Sequence, residues 1–160
     1  MAFEENVFVN CPFDRQFLPL LRPLLFTITY LGLRPRIALE AMDAGQGRLD
    51  KIVRLIRESK FGIHDLSRIE AALSDLSGSD IESHGNEPYR VIGIVRNWLK
   101  NVCQIEAAGP AKIASAFSDF MAHNYDVLKA KGFSPQDIEG LPVPELIEGM
   151  ERWVADNKGP

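Results

Sequence analysis

Three short apolar runs, Val7-Phe8-Val9, Arg36-Ile37-Ala38-Leu39 and Phe61-Gly62-Ile63, stand among segments of helical periodicity, and no convincing strand-like run follows Ser67. Strands that alternate with helices must pair in parallel, because a helix-length crossover returns the chain to the same end of the sheet. The pattern predicts an α/β fold, in which a small parallel sheet is followed by an all-helical C-terminal half. A chain of 160 residues has the length of one domain. Residues 1–68 would form its α/β part and residues 69–160 a helical cover.

The first helix is expected from about Phe17 to Leu31, with Pro19 in its first turn, Pro23 inside it and Gly32 as its stop. Leu49, Ile52, Val53 and Ile56 fall at i, i+3, i+4 and i+7, so Arg48 to Ser59 reads as an amphipathic helix. Ile69 to Glu87 reads as a short helix followed by loop. Beyond it, Val91, Ile92, Val95, Trp98, Leu99 and Val102 line one helical face, and Ile113, Phe117, Phe120, Met121 and Leu128 another. Leu146, Ile147, Met150 and Val154 line a third helix after Pro144. The stripe through Phe117, Phe120, Met121 and Tyr125 has core spacing, not that of a base-stacking platform.

The net charge of -4 argues against nucleic-acid or anionic-membrane partners, which draw on clustered Lys and Arg. Two cysteines, Cys11 and Cys103, are too few for a stapled secreted fold. The acidic start Glu4-Glu5 does not resemble a targeting peptide. Phe17 to Leu33, the longest apolar stretch, carries Arg22, Pro19 and Pro23, as suits a buried helix rather than a membrane span. A cytoplasmic location is the expectation.

If the strand order is 2-1-3, the third strand keeps one free edge. A helix of the second half covers that edge, another protomer pairs with it, or the sheet lacks strands that its relatives possess. In an open parallel sheet, ligands sit beyond the carboxyl ends of the strands. The candidates there are Asn10, Cys11 and Asp14 from the first exit, Glu40 and Asp43 from the second, and His64, Asp65 and Ser67 from the third. Several carboxylates around one site suit ribose hydroxyls, general-base work or an oxocarbenium-like transition state. Taken singly, such acids also cap helices and close turns.

Asp43-Ala-Gly-Gln-Gly-Arg48 lacks the third glycine of a dinucleotide fingerprint, since Asp50 stands there, and the chain has no Walker sequence. Its glycines and Arg48 can still serve a single phosphate, or the loop is a plain turn. A thiol nucleophile at Cys11 with His64 as base has little support from spacing, because Phe17 stands where a phosphatase-type loop has arginine. His64, His84 and His123 offer no close ligand pair, so no metal site is expected.

Val7-Phe8-Val9-Asn10-Cys11-Pro12-Phe13-Asp14, Pro35-Arg36-Ile37-Ala38-Leu39-Glu40, Arg48-Leu49-Asp50-Lys51-Ile52 and Gly62-Ile63-His64-Asp65-Leu66-Ser67-Arg68 together resemble a group of bacterial proteins. The fold of that group is similar to Toll/interleukin-1 receptor domains and nucleoside 2-deoxyribosyltransferases. Ser74-Asp75-Leu76-Ser77-Gly78-Ser79-Asp80-Ile81, His84-Gly85-Asn86 and Val95-Arg96-Asn97-Trp98-Leu99 resemble the helical tail of the same group. The resemblance implies a flavodoxin-like strand order and a role in bacterial defence signalling. The relatives carry an Asn-Met-Pro-Phe-Glu-Leu-Gly-like helix and a further strand after the Asp-Leu-Ser-Arg motif. Here Arg68 runs almost straight into Ser74, so the glutamate that the resemblance would nominate as nucleophile has no counterpart.

The leading expectation is a domain that binds NAD or another ribose-containing nucleotide, with catalysis in doubt and no resident cofactor. Asn10 and Asp14 would hold the ligand near the first strand, and Glu40 and Asp43 would accept hydrogen bonds from ribose hydroxyls. Arg48 would meet a phosphate, while His64, Asp65 and Ser67 complete the floor. One alternative is N-glycosidic cleavage or transfer on NAD or a nucleoside, with Asp65 or Glu70 replacing the missing acid. Another is a noncatalytic interaction module, or a homo-oligomer, joined through the third-strand edge.

Overall fold

The computed structural model of the chain describes residues 3–38, 47–65 and 82–158. It is an α/β fold with C-terminal helices. Three parallel strands, β1 (Asn6–Asn10), β2 (Arg34–Ile37) and β3 (Phe61–His64), lie in the order β2-β1-β3. Val7 stands opposite Pro35 on one side and Phe61 on the other, and Val9 opposite Ile37 and Ile63. The observed β2 lies two residues earlier than the expected run from Arg36 to Leu39. Its register is set where the Arg34 N–H donates to the Glu5 carbonyl, 2.8 Å away. Pro35 is tolerated because, among the described residues, β2 pairs on one side only.

Helix α1 (Leu18–Tyr30) follows β1. Pro19 opens it without loss of a hydrogen bond, and Gly32 ends it at φ 85°, where the left-handed backbone stops the helix. Its sequence is apolar nearly all round, and from Leu20 to Tyr30 only Arg22 is not buried. Two threonines sit in that interior without an unmet hydroxyl, because Thr27 donates to the Pro23 carbonyl and Thr29 to that of Leu25.

The second half supplies what α1 packs against. Helices α3 (Pro88–Cys103), α4 (Pro110–Ala130) and α6 (Val143–Asn157) meet it, while the short α5 (Pro135–Glu139) packs on α4. Phe26 is the hub, its ring 5.5–5.8 Å from those of Tyr30, Phe117, Phe120 and Trp153. Val91, Ile92, Val95 and Leu99 of α3, Ile113 and Phe120 of α4, and Leu146, Ile147 and Met150 of α6 are buried as their spacing predicts, whereas Val102 is exposed.

Val7, Val9, Cys11, Phe61 and Ile63 face this core. Asn6, Phe8, Asn10, Gly62 and His64 therefore face the other way, since side chains alternate along a strand. Helix α2 (Arg48–Arg57) lies on that second face. Its C-cap Glu58 accepts from the Asn6 side-chain amide at 2.8 Å and pairs with Arg36 at 3.3 Å. The stripe that marks α2 as amphipathic is not the face it buries. Leu49 is 73% exposed and Ile56 49%, while Lys51 and Leu55 are buried. The sheet face beneath is largely polar, so an inward lysine meets less apolar surface there than it would on the α1 side.

Candidate functional site

In a 2-1-3 sheet with α1 and α2 on opposite faces, the connections diverge between β1 and β3, and a ligand site lies at the carboxyl ends of those strands. The structure brings Asn10, Cys11, His64 and Asp65 together there. The Asp65 N–H donates to the Asn10 carbonyl at 2.9 Å, which continues the strand pairing one step past β3. The alternation of side chains splits the exits into two halves.

On the α2 side, the Asn10 side-chain amide donates to His64 Nδ1 at 3.2 Å. The neutral imidazole then carries its proton on Nε2. Its ring stands edge-on to Phe8, with centroids 6.0 Å apart. Gly62 makes room for it, since a Cβ at that position would lie 3.2 Å from His64 Nε2.

On the α1 side, Asp65 meets a residue from the second half of the chain. His84 Nε2 lies 2.9 Å from Asp65 Oδ2, and their side chains are 20% and 7% exposed. The Asn86 N–H donates to His84 Nδ1, which must therefore hold a lone pair. The proton sits on Nε2 and is donated to Asp65. This geometry depends on a tight turn. Gly85 and Asn86 both have φ 58°, and the Glu87 N–H closes onto the His84 carbonyl at 3.0 Å, the pattern of a type I′ turn. Pro88 then opens α3.

Cys11 lies close enough to Asp65 to feel its charge. Burial first, and that carboxylate second, push the thiol up to about 12. It stays protonated at neutral pH, so the geometry gives no support to a thiolate nucleophile.

Asp14 is exposed, and its carboxylate accepts the Phe17 N–H at 3.0 Å at the start of α1. Glu40, Asp43, Ser67 and Glu70 lie outside the described residues, as does the side chain of Arg48. Most of the helix and loop expected between Ile69 and Glu87 lies outside them too. Among the described residues, no cluster of His, Cys, Asp and Glu could hold a metal, and no helix is long and apolar enough to cross a membrane.

The sequence reading did not single out two residues, His84 at this edge and the buried Lys51 of α2. His84 had a signal in the Gly85-Asn86 pair, a turn dipeptide that fixes the residue before it. Lys51 had none, because the apolar stripe beside it points to the opposite helix face.

Comparison of the chain with family models, curated proteins and solved structures finds no match.

Proposed function

We propose that the chain is a Toll/interleukin-1 receptor-like domain that binds a ribose-containing nucleotide, NAD among them, across the carboxyl ends of β1 and β3. The observation that carries this reading is the pairing of Asn10 with His64 on one face of the strand ends and of Asp65 with His84 on the other, linked by the main-chain bond from Asp65 to Asn10, at the point where the crossover connections diverge. Amides, imidazoles and carboxylates held on strand ends are suited to sugar hydroxyls and a base edge. The described parts of the motifs that carry the resemblance lie on β1 and its exit, on β2, at the start of α2 and on β3.

Binding is favoured over turnover. Asp65 is committed to His84, and both ring nitrogens of His84 are engaged, by Asp65 and by the Asn86 N–H. Among the described residues at these exits, neither Asp65 nor the Cys11 thiol is poised as a nucleophile. The test is calorimetric titration of the full chain with NAD, nucleotides and nucleosides. At least one should bind, and Asn10→Ala with His64→Ala should weaken that ligand about tenfold or more. An absence of heat for all of them overturns the reading.

A second reading, protein interaction, has its own support. The outer edge of β3 has no strand partner among the described residues, and α2 turns Leu49, Val53 and Ile56 outward. Sedimentation at high concentration tests self-association through this region, and a strict monomer excludes it.

A further inference from the structure

Lys51 is 1% exposed, and its ammonium nitrogen has no hydrogen-bond partner among the described residues. Lysine carries three donors and is almost never fully buried without a partner. Among the described residues, nothing in the packing of α2 calls for it. The inward position four residues on is Leu55, wholly buried, and an apolar residue at 51 would continue that face.

The placement of Lys51 can be worked out from the register of α2 on the sheet. Glu58, at the end of α2, bonds Asn6 at the start of β1, so the helix runs back toward the carboxyl edge. From Glu58 to Lys51 the helix rises about 10 Å, and from Asn6 to Asn10 the strand rises about 13 Å. For a helix running back along β1, these rises bring Lys51 about level with Asn10. Side chains in a helix lean toward its N-terminus, which carries the amine further to the strand exits. It approaches from the α2 side, the half of the site that holds Asn10 and His64.

The start of α2 adds a second source of positive potential. Its N-cap, Gly47, contributes no side-chain cap. Asp50 lies near Gly47 but is exposed, so it answers the helix terminus from the solvent side, and among the described residues the inward amine has no hydrogen-bond partner.

We infer that Lys51 and the first turn of α2 form an anion subsite, which takes the phosphate of a nucleotide whose ribose lies over Asn10 and His64. The inference rests on the proposed nucleotide reading and narrows it to phosphorylated ligands, with a plain nucleoside as the weaker binder. A buried donor with no partner costs the unliganded protein stability, and a phosphate oxygen relieves that cost on binding.

The experiment titrates adenosine, adenosine 5′-monophosphate and pyrophosphate into the full chain and into Lys51→Met, with the fold of the variant checked by circular dichroism. Lys51→Gln makes the same comparison if the methionine variant does not fold. The monophosphate should bind the parent chain at least tenfold tighter than adenosine, and the variant should lose that preference while still binding adenosine. Equal binding of adenosine and the monophosphate, or a preference that survives in the variant, overturns the anion subsite and leaves the ribose reading standing. Lysine-dependent binding of pyrophosphate without any binding of the other two supports the subsite and overturns the ribose reading. No binding of any of the three overturns both.

Discussion

The contact between His84 and Asp65 joins the sheet to the second half of the chain, and its removal should be costly. A hydrogen bond to a charged group is worth about 1.5–3 kcal/mol when its partner cannot recover the loss from water. Asp65 is poorly placed to do so, with a side chain only 7% exposed, and His84 at 20% is also sheltered. His84→Ala should therefore destabilise the chain by about 2 kcal/mol, a fall in Tm of about 4–8 °C for a protein of this size. Part of that loss belongs to the turn, because the Asn86 N–H loses its acceptor as well. A double-mutant cycle with Asp65→Asn separates the two contributions, read by urea denaturation at pH 7. The coupling between the two side chains should be about 1–2 kcal/mol, well above the roughly 0.3–0.5 kcal/mol scatter of independent sites. A coupling within that scatter would mean that the two side chains merely lie side by side, and the reasoning about this clasp would be refuted.

The other predictions concern the thiol, the core and the turn. The native fold holds the Cys11 proton up to about 12 while the unfolded chain releases it near 9.0, so its contribution is intact below pH 9 and lost as pH rises. Relative to Cys11→Ala, the parent chain should lose about 1.4 kcal/mol per pH unit above that point, and a thiol reagent at pH 8 should leave native Cys11 unmodified. Phe26→Ala should cost about 3–5 kcal/mol in chemical denaturation, since it empties the centre of a five-ring cluster; a loss below about 1 kcal/mol would show that the cluster closes over the gap. Gly85→Val, at φ 58°, should cost about 1–2 kcal/mol, and imidazole NMR shifts should report a displaced His84.

Much of the architecture was legible because strands and helices differ in period. Three short apolar runs gave the parallel sheet, and the stripes at Val91 to Leu99 and Leu146 to Met150 gave the faces that cover α1. The bounds of β2 were harder to read, because Pro35 discourages a strand assignment where edge pairing permits one. The site was half legible. Strand exits can be located from sequence, and Asn10, His64 and Asp65 do meet. A partner from a distant segment cannot be read from local spacing, and His84 reaches Asp65 only through the packing of α3 on α1. Helix α2 misleads most, since hydrophobic periodicity assumes an apolar surface beneath. The face under α2 carries Asn6, Asn10, Arg36 and His64, and there Lys51 turns inward while Leu49 faces solvent.

The most direct test of the nucleotide site is a two-dimensional amide NMR titration of the uniformly labelled chain with adenosine 5′-monophosphate. Saturable shifts concentrated at Asn10, Cys11, Lys51, His64, Asp65 and His84, with α4 and α6 silent, are the predicted result. Shifts confined to the helical half, or no saturable shift at millimolar ligand, would contradict a nucleotide site at the carboxyl ends of β1 and β3.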